Sequence, residues 1–278
     1  MKKFHIKSIT AAVFVFLLPF MVVGQSFLLE DFPAHRTRLG IRFLRPDFNN
    51  GNGISTLSGL YDFSVSFPVG SKLNIVGSLP LATISFVGSG SELSAGNMYI
   101  GLQRILRSTR KTGTSASLGV YLPTMPVGKG TITAAGYYTN YYEFQKFLPH
   151  SLTVYGNLAY RRSTSKGLLF NLEIGPNILI PTEDDPSNPR DTELYLHYGL
   201  SAGIRVQQFV LKAEWAGIGI LKKKVDDSGD RLTHSIAFGI NWNRGLMRPG
   251  IFYKIYLNKE FRDLVSGVIG FKLQIVVR

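Results

Sequence analysis

Cysteine is absent from the 278 residues, which excludes disulfides, thiolate metal sites, cysteine nucleophiles and a lipid anchor on an N-terminal cysteine. Beyond residue 24 no apolar run approaches the ~20 residues of a spanning helix, so the chain is not a bundle of membrane helices. Charged residues are sparse, at 18%. Five histidines are present, at 5, 35, 150, 197 and 234, and none forms a His-Glu-x-x-His or comparable metal spacing. No metal, cofactor or catalytic residue is therefore expected. Gly88-Ser89-Gly90-Ser91 lacks the Lys-Ser/Thr that would make it a phosphate loop and reads as a surface loop.

What is present begins with a separable leader. Lys2, Lys3 and Lys7 precede the apolar run from Ile9 to Val23, and Val22-Val23-Gly24 sets small or β-branched residues before Gln25. This is the pattern of a cleaved secretory signal peptide over 1–24, leaving one domain over 25–278. Three of the thirteen net positive charges would leave with the leader, so the remainder carries +10. An exported basic protein has little access to nucleic acid. Its charge suits lipopolysaccharide phosphates or anionic solutes instead.

The mature region alternates with a period of two. Tyr61, Phe63, Val65 and Phe67 interleave with Asp62, Ser64 and Ser66, and Leu196, Tyr198, Leu200 and Ala202 interleave with His197 and Ser201. Such runs put alternate side chains on opposite faces of a strand. Their lengths suit tilted spanning strands of about 9–11 residues. Strands are expected near 37–45, 57–67, 72–82, 97–106, 114–123, 151–162, 168–179, 193–206, 208–219, 231–243, 249–257 and 264–277. The connections alternate too. Those near 68–71, 106–113, 163–167, 206–208 and 243–248 are short, whereas 46–56, 83–96, 124–150, 181–192 and 221–230 are longer and rich in Gly, Asn, Asp and Ser; only the last of the outer set, 258–263, is brief. Alternating loop length follows from a chain threaded up and down through a bilayer, where every backbone amide must pair within a closed sheet. The expected fold is a closed antiparallel up-and-down transmembrane β-barrel of about twelve strands, integral to a bacterial outer membrane. Its partners would be outer-membrane lipid, lipopolysaccharide and the barrel-assembly machinery. Phe43, Phe67, Tyr160, Phe209, Trp215, Trp242, Tyr253 and Phe271 fall on the outward face as an interfacial girdle.

The same alternation turns Arg38, Arg42, Asp62, Lys72, Arg161, Glu173, Arg205, Lys212, Glu214, Lys254 and Lys272 inward. Two readings of that lumen stand open. Its basic excess lines a path for an anionic or polar solute, or Glu173 and Glu214 neutralise neighbouring cations and side chains plug the barrel. The 124–150 connection, with Tyr137, Tyr138, Tyr141 and Tyr142, could fold inward as a constriction. A barrel whose outer loops bind a partner is the alternative to a channel or transporter. A lipid hydrolase is the third reading, for which His234 near the outer rim is the residue to check, although Ser235 points to the other face. Acidic residues at Glu183-Asp184-Asp185 and the Lys222-Lys223-Lys224 run read as solvated loop charge.

Gly96-Asn97-Met98-Tyr99-Ile100-Gly101-Leu102-Gln103, Leu118-Gly119-Val120-Tyr121-Leu122-Pro123-Thr124, Asn157-Leu158-Ala159-Tyr160 and Arg248-Pro249-Gly250 resemble, in order, motifs of the MetA-pathway-of-phenol-degradation family of outer-membrane transporters. These are distant relatives of fatty-acid and aromatic-hydrocarbon importers. The resemblance implies a barrel of about this size and a transport role, with a small aromatic or hydrophobic solute as one candidate, and it implies no catalytic residue. That family usually shows Asp where this chain has Asn97, and barrels commonly end on an aromatic residue read by the assembly machinery. Here the chain ends Gln274-Ile275-Val276-Val277-Arg278, with Phe271 as the nearest substitute.

Overall fold

The computed structural model describes residues 26–33, 35–49, 58–86, 90–183, 191–222 and 231–277. The leader, Gly88-Ser89, Asp184-Asp185 and the side chains of 222–230 lie outside them. Thirteen strand segments are present among the described residues: β1 (Arg38–Phe48), β2 (Gly59–Val69), β3 (Leu73–Phe86), β4 (Gly90–Ala95), β5 (Tyr99–Ser108), β6 (Thr112–Tyr121), β7 (Ser151–Ser163), β8 (Leu168–Pro181), β9 (Glu193–Val206), β10 (Phe209–Lys222), β11 (Leu232–Trp242), β12 (Met247–Tyr256) and β13 (Val265–Val276).

All neighbours pair antiparallel, and β1 closes the sheet by pairing with both β2 and β13. The segments β4 and β5 share one stave. The upper part of β3 pairs with β4 (Leu81↔Ala95) and its lower part with β5 (Ser78↔Tyr99). The result is a closed twelve-stave barrel. Closure pairs the staves on both sides, so the backbone polar groups of the spanning wall pair internally, as hydrocarbon requires; among the described residues only β4, beyond the β5–β6 pairing, keeps one edge without a strand neighbour.

Why these residues build a barrel is visible in the two faces. Outward, Leu39, Phe63, Leu118, Leu172, Phe238 and Ile251 are exposed. Inward, Asn74, Gln103, Asn157, Glu173, Asn241 and Lys254 are buried. Soluble proteins rarely leave contiguous apolar patches beyond a few hundred Å2, whereas here the exposed apolar residues come from staves all round the wall. Of the girdle aromatics, Phe67, Tyr160, Trp215, Trp242, Tyr253 and Phe271 are exposed. The less exposed Phe43 and Phe209 rest against Tyr61 and Trp242, with ring centroids 4.8 and 5.0 Å apart.

Two parts of the chain depart from the sequence expectation. The 83–96 connection is largely strand, because β3 continues to Phe86 and returns as β4. The 124–150 connection contains a helix, α1 (Gly130–Thr139), followed by a 3-10 segment (Tyr141–Phe147). A short helix, α2 (Lys259–Leu264), joins β12 to β13.

Candidate functional site

Two segments that belong to no stave fill the barrel from opposite ends. The first runs from Ser26 to Pro33, ahead of β1. Phe27, Leu28 and Leu29 are consecutive apolar residues and all are buried. They seat where the wall carries no side chain: a Cβ on Gly239 would lie 2.6 Å from Phe27 Cζ, and one on Gly199 only 2.2 Å from Leu29 Cδ2. Phe27 also stacks on Phe252, with centroids 4.8 Å apart. Peptide groups so placed need partners, and the wall supplies carboxylates. Glu214 Oε2 accepts the main-chain N–H groups of Phe27 at 2.9 Å and Leu28 at 2.7 Å, and Glu173 Oε2 accepts that of Glu30 at 2.9 Å.

The second segment is the α1 and 3-10 connection. It is anchored at the interruption between β4 and β5. Asn97, fully buried, donates through Nδ2 to the carbonyls of Gln145 at 2.9 Å and Leu148 at 2.6 Å, and its Oδ1 accepts the Met125 N–H at 3.0 Å. The Asn97 N–H itself donates to the Lys146 carbonyl at 2.7 Å. Thr124 completes the anchor, donating its hydroxyl to the Gly96 carbonyl and accepting from the Met98 N–H, each at 2.9 Å. Residues 96–98 and Thr124 therefore hold this connection in the lumen.

The two segments meet the same wall residues. Tyr142 donates its hydroxyl to Glu173 Oε1 at 2.6 Å. Arg42 Nη1 donates to the Phe27 carbonyl at 3.3 Å, while Nη2 pairs with Asp62 at 2.9 Å and with Glu143. Lys146 closes the square, 2.6 Å from Asp62 and 3.0 Å from Glu143. Lys254 donates to the Thr139 carbonyl at 2.5 Å and to Tyr256 Oη at 3.0 Å.

The remaining inward candidates are spread around the wall. Arg38 and Lys212 are buried, and Lys212 lies 3.3 Å from Glu214. Arg161 covers the Phe32 ring at 3.7 Å, Lys272 pairs with Asp31 at 2.7 Å, and Arg205 is half-buried. Lys72 is a correction. It sits exposed in the turn between β2 and β3, because β3 begins one residue later than expected and the turn faces solvent.

Tyr142 lies in the connection expected to fold inward, whereas alternation along strands gives no signal for Glu30, Asp31, Glu143 and Lys146, which lie outside them. For Glu143 and Lys146 the signal was a charged pair three residues apart within an aromatic loop. Their electrostatics diverge. Burial pushes the Glu30 carboxyl up, although Asn157, Ser117 and Gln103 hydrogen-bond to it. Burial acts on Asp31 as well, but Lys272 and Arg38 outweigh it and hold that carboxyl down. The same balance, with Arg42 and Lys146 as the cations, holds Glu143 well below the ordinary carboxylate range.

The inner surface is not uniformly filled. On β10, Lys212, Glu214, Ala216 and Ile218 are all buried, but on β2 the inward Asp62, Ser64 and Ser66 retain accessible surface. A cavity of about 170 Å3 runs along that β1–β3 side, bounded by Gly40, Ser64, Ser78, Tyr99, Tyr121 and both inserted segments. On the outer face, His234 accepts or donates a 2.7 Å hydrogen bond with Tyr198 and stacks on Trp215 at 5.2 Å. Ser235 is buried on the opposite face.

No family model matches the chain, and no curated protein matches it. Solved structures do. An outer-membrane channel from Pseudomonas putida F1 aligns over 92% of this chain and 100% of its own, with a TM-score of 0.67 at 12% identity. The NanC porin aligns over 86% and 99% with a TM-score of 0.55 at 8% identity, and the KdgM porin over 87% and 99% with 0.53 at 7%. At such identities the likeness shows the fold: the chain has the architecture of outer-membrane channels and porins.

Proposed function

We propose that this chain is an outer-membrane channel or transporter for a small solute, closed at rest by its two inserted segments and exported by a cleaved leader over 1–24. The observation that carries the reading is the one-sided filling of the lumen. Hydrophobic and main-chain contacts occupy the β10–β12 side, while the β1–β3 side keeps a row of small polar side chains and open volume. A barrel stabilised only by its own core gains from filling that side as well, since voids forfeit packing energy. The motif resemblance to the phenol-pathway transporters supports the same reading, because the matching residues anchor the inserted connection. Arg38, Arg42, Asp62, Arg161, Glu173, Arg205, Lys212, Glu214 and Lys254 then act as lumen groups, some holding the plug and some bordering the path.

Planar-bilayer recordings on the folded barrel test this. The intact chain should give small, intermittent conductance, and replacing residues 127–147 by a short Gly-Ser link should give a larger, steady one. Absence of current from both proteins overturns the channel reading. The filled β10–β12 side favours a second reading, a non-transporting barrel whose outer loops bind a partner, and the same silent recordings would support it. Sequencing the N-terminus of the exported protein checks the leader, with Gln25 expected first.

A further inference from the structure

The cavity along β1–β3 has a composition that selects among solutes. One wall is built from the cross-strand row Gly40, Ser64 and Ser78. The row continues onto the adjoining staves as an aromatic wall: Tyr99 pairs with Ser78, Tyr99 and Tyr121 lie with centroids 4.7 Å apart, and Tyr155 meets both edge-on at 5.9 and 6.1 Å. Tyr99 lies flat along the barrel wall because the paired positions beneath it are Gly101 and Gly119, where a Cβ would come within 2.4 and 2.5 Å of its hydroxyl.

Charge around the cavity is even. Arg38, Arg42, Lys146 and Lys272 border it together with Glu30, Asp31, Asp62 and Glu143. Most of these are already engaged with one another, in the Arg42–Asp62–Lys146–Glu143 square and the Lys272–Asp31 pair. An ionic solute would meet charge that is balanced in number and largely paired, and would lose its hydration, which is costly. A purely apolar solute fits no better. Asp62, Ser64 and Ser78 border the cavity and keep accessible surface, and an occupant without polar groups would strip their water and return no hydrogen bond. Hydroxyl groups both donate and accept, so they serve a carboxylate oxygen, a guanidinium N–H and serine hydroxyls alike.

From this we infer that the cavity is a binding site for one small uncharged ring bearing several hydroxyl groups, of monosaccharide size, with a ring face on the tyrosines and its hydroxyls toward Asp62, Ser64 and Ser78. The volume, about 170 Å3, is below the ~300–1,000 Å3 of pockets for drug-sized ligands, so it takes a single ring and not an oligomer. The inference deepens the channel reading and rests on it. Both inserted segments border the cavity, so an occupant touches the parts that must move for passage.

The test is equilibrium binding to the full-length barrel folded in detergent, with D-glucose, D-gluconate, D-glucosamine and phenol as probes. Glucose should bind most tightly, and Ser64→Leu, which fills the open wall, should weaken it at least tenfold while heat-modifiable gel mobility stays normal. Ser78→Leu provides the same reading should Ser64→Leu fail to fold. Preference for gluconate, glucosamine or phenol overturns the inference, as does no retention of any probe by folded protein or glucose binding unchanged in the filled-wall variants. Liposome flux through the 127–147 replacement separates the two proposals. Flux without glucose binding removes this site and leaves the channel, whereas binding without flux removes the channel.

Discussion

One carboxylate on β8 joins both inserted segments: Glu173 accepts the Tyr142 hydroxyl on Oε1 at 2.6 Å and the Glu30 main-chain N–H on Oε2 at 2.9 Å. Tyr142 belongs to the 3-10 segment and Glu30 to the N-terminal segment, so neither can shift without disturbing the same group. A hydrogen bond contributes a net ~0.5–1.5 kcal/mol, and a buried donor left without its partner costs about 1–3 kcal/mol. In Glu173→Gln an amide NH2 must face one of the two donors, and the fit of one segment is lost while side-chain volume is kept. The expected outcome is an increase in the open fraction of bilayer recordings by tenfold or more, with gel mobility of the folded barrel unchanged. Recordings identical to those of the intact chain would show that Glu173 does not restrain the plug.

Arg42 makes a second junction, contacting the Phe27 carbonyl, Asp62 and Glu143 at once. Removing one member of a buried ionic group leaves its partners uncompensated, at a cost of about 3–5 kcal/mol. Arg42→Met should therefore lower the unfolding temperature in detergent markedly. Adding Glu143→Gln in the same chain should recover part of the loss, because Lys146 then faces one carboxylate, Asp62, in place of two. A double variant no more stable than Arg42→Met alone would mean that the arginine acts through packing of its stem and not through charge.

The depressed Glu143 carboxyl fixes the direction of a pH effect. A carboxyl held below its unfolded value contributes stability that is complete above the ordinary glutamate range, near about 4.3, and is lost as pH falls below it toward the depressed value. Asp31, also held down, acts with the same sign on the N-terminal segment. Glu30 opposes it: its carboxyl is raised, so its contribution favours the folded form at low pH and fades as pH rises through its raised value. The 3-10 segment, which carries only the first of these groups, should loosen on strong acidification. Between pH 7 and pH 5 conductance should be steady, and between pH 4 and pH 2 it should rise. In Glu143→Gln that rise should be much reduced, and an equal rise in both proteins would assign the effect to other groups.

Much of the barrel was legible because a half-buried strand has no freedom over which side chains face which way. The run from Leu194 to Val206 alternates without interruption, and β9 spans Glu193–Val206. In the stretch 90–95, Gly90, Ser91 and Ser94 carry turn composition, yet it is strand by virtue of pairing with β3. The N-terminal segment left a weaker trace still. Phe27-Leu28-Leu29 is too short for any periodicity, and its place in the lumen depends on gaps at Gly199 and Gly239, some 170 and more residues away in sequence. Apart from Lys72, which falls in a turn, the charges of the staves were identifiable one by one as inward positions. Their partners were not, since Glu30, Asp31, Glu143 and Lys146 come from segments outside the staves.

Asn97 offers the most selective test of how the plug is held. Its three side-chain hydrogen bonds require two donors and one acceptor in fixed places, and the amide meets all of them while fully buried. An ionised aspartate cannot donate, so Asn97→Asp would point a carboxylate at the carbonyls of Gln145 and Leu148. Each buried carbonyl left without a donor costs about 1–3 kcal/mol, and more beside a charge. The staves do not depend on these bonds, because β4 and β5 pair with β3 through their backbones. At neutral pH the variant should therefore keep the gel mobility of the folded barrel while trypsin cleaves after Lys129 and Lys146 at least tenfold faster than in the intact chain. Alanine at the same position should act likewise but more mildly, having no charge to repel the carbonyls. Cleavage rates unchanged in the aspartate variant would show that the connection is held by its apolar contacts, Ile132 and Phe147 foremost, and that the amide is not its anchor.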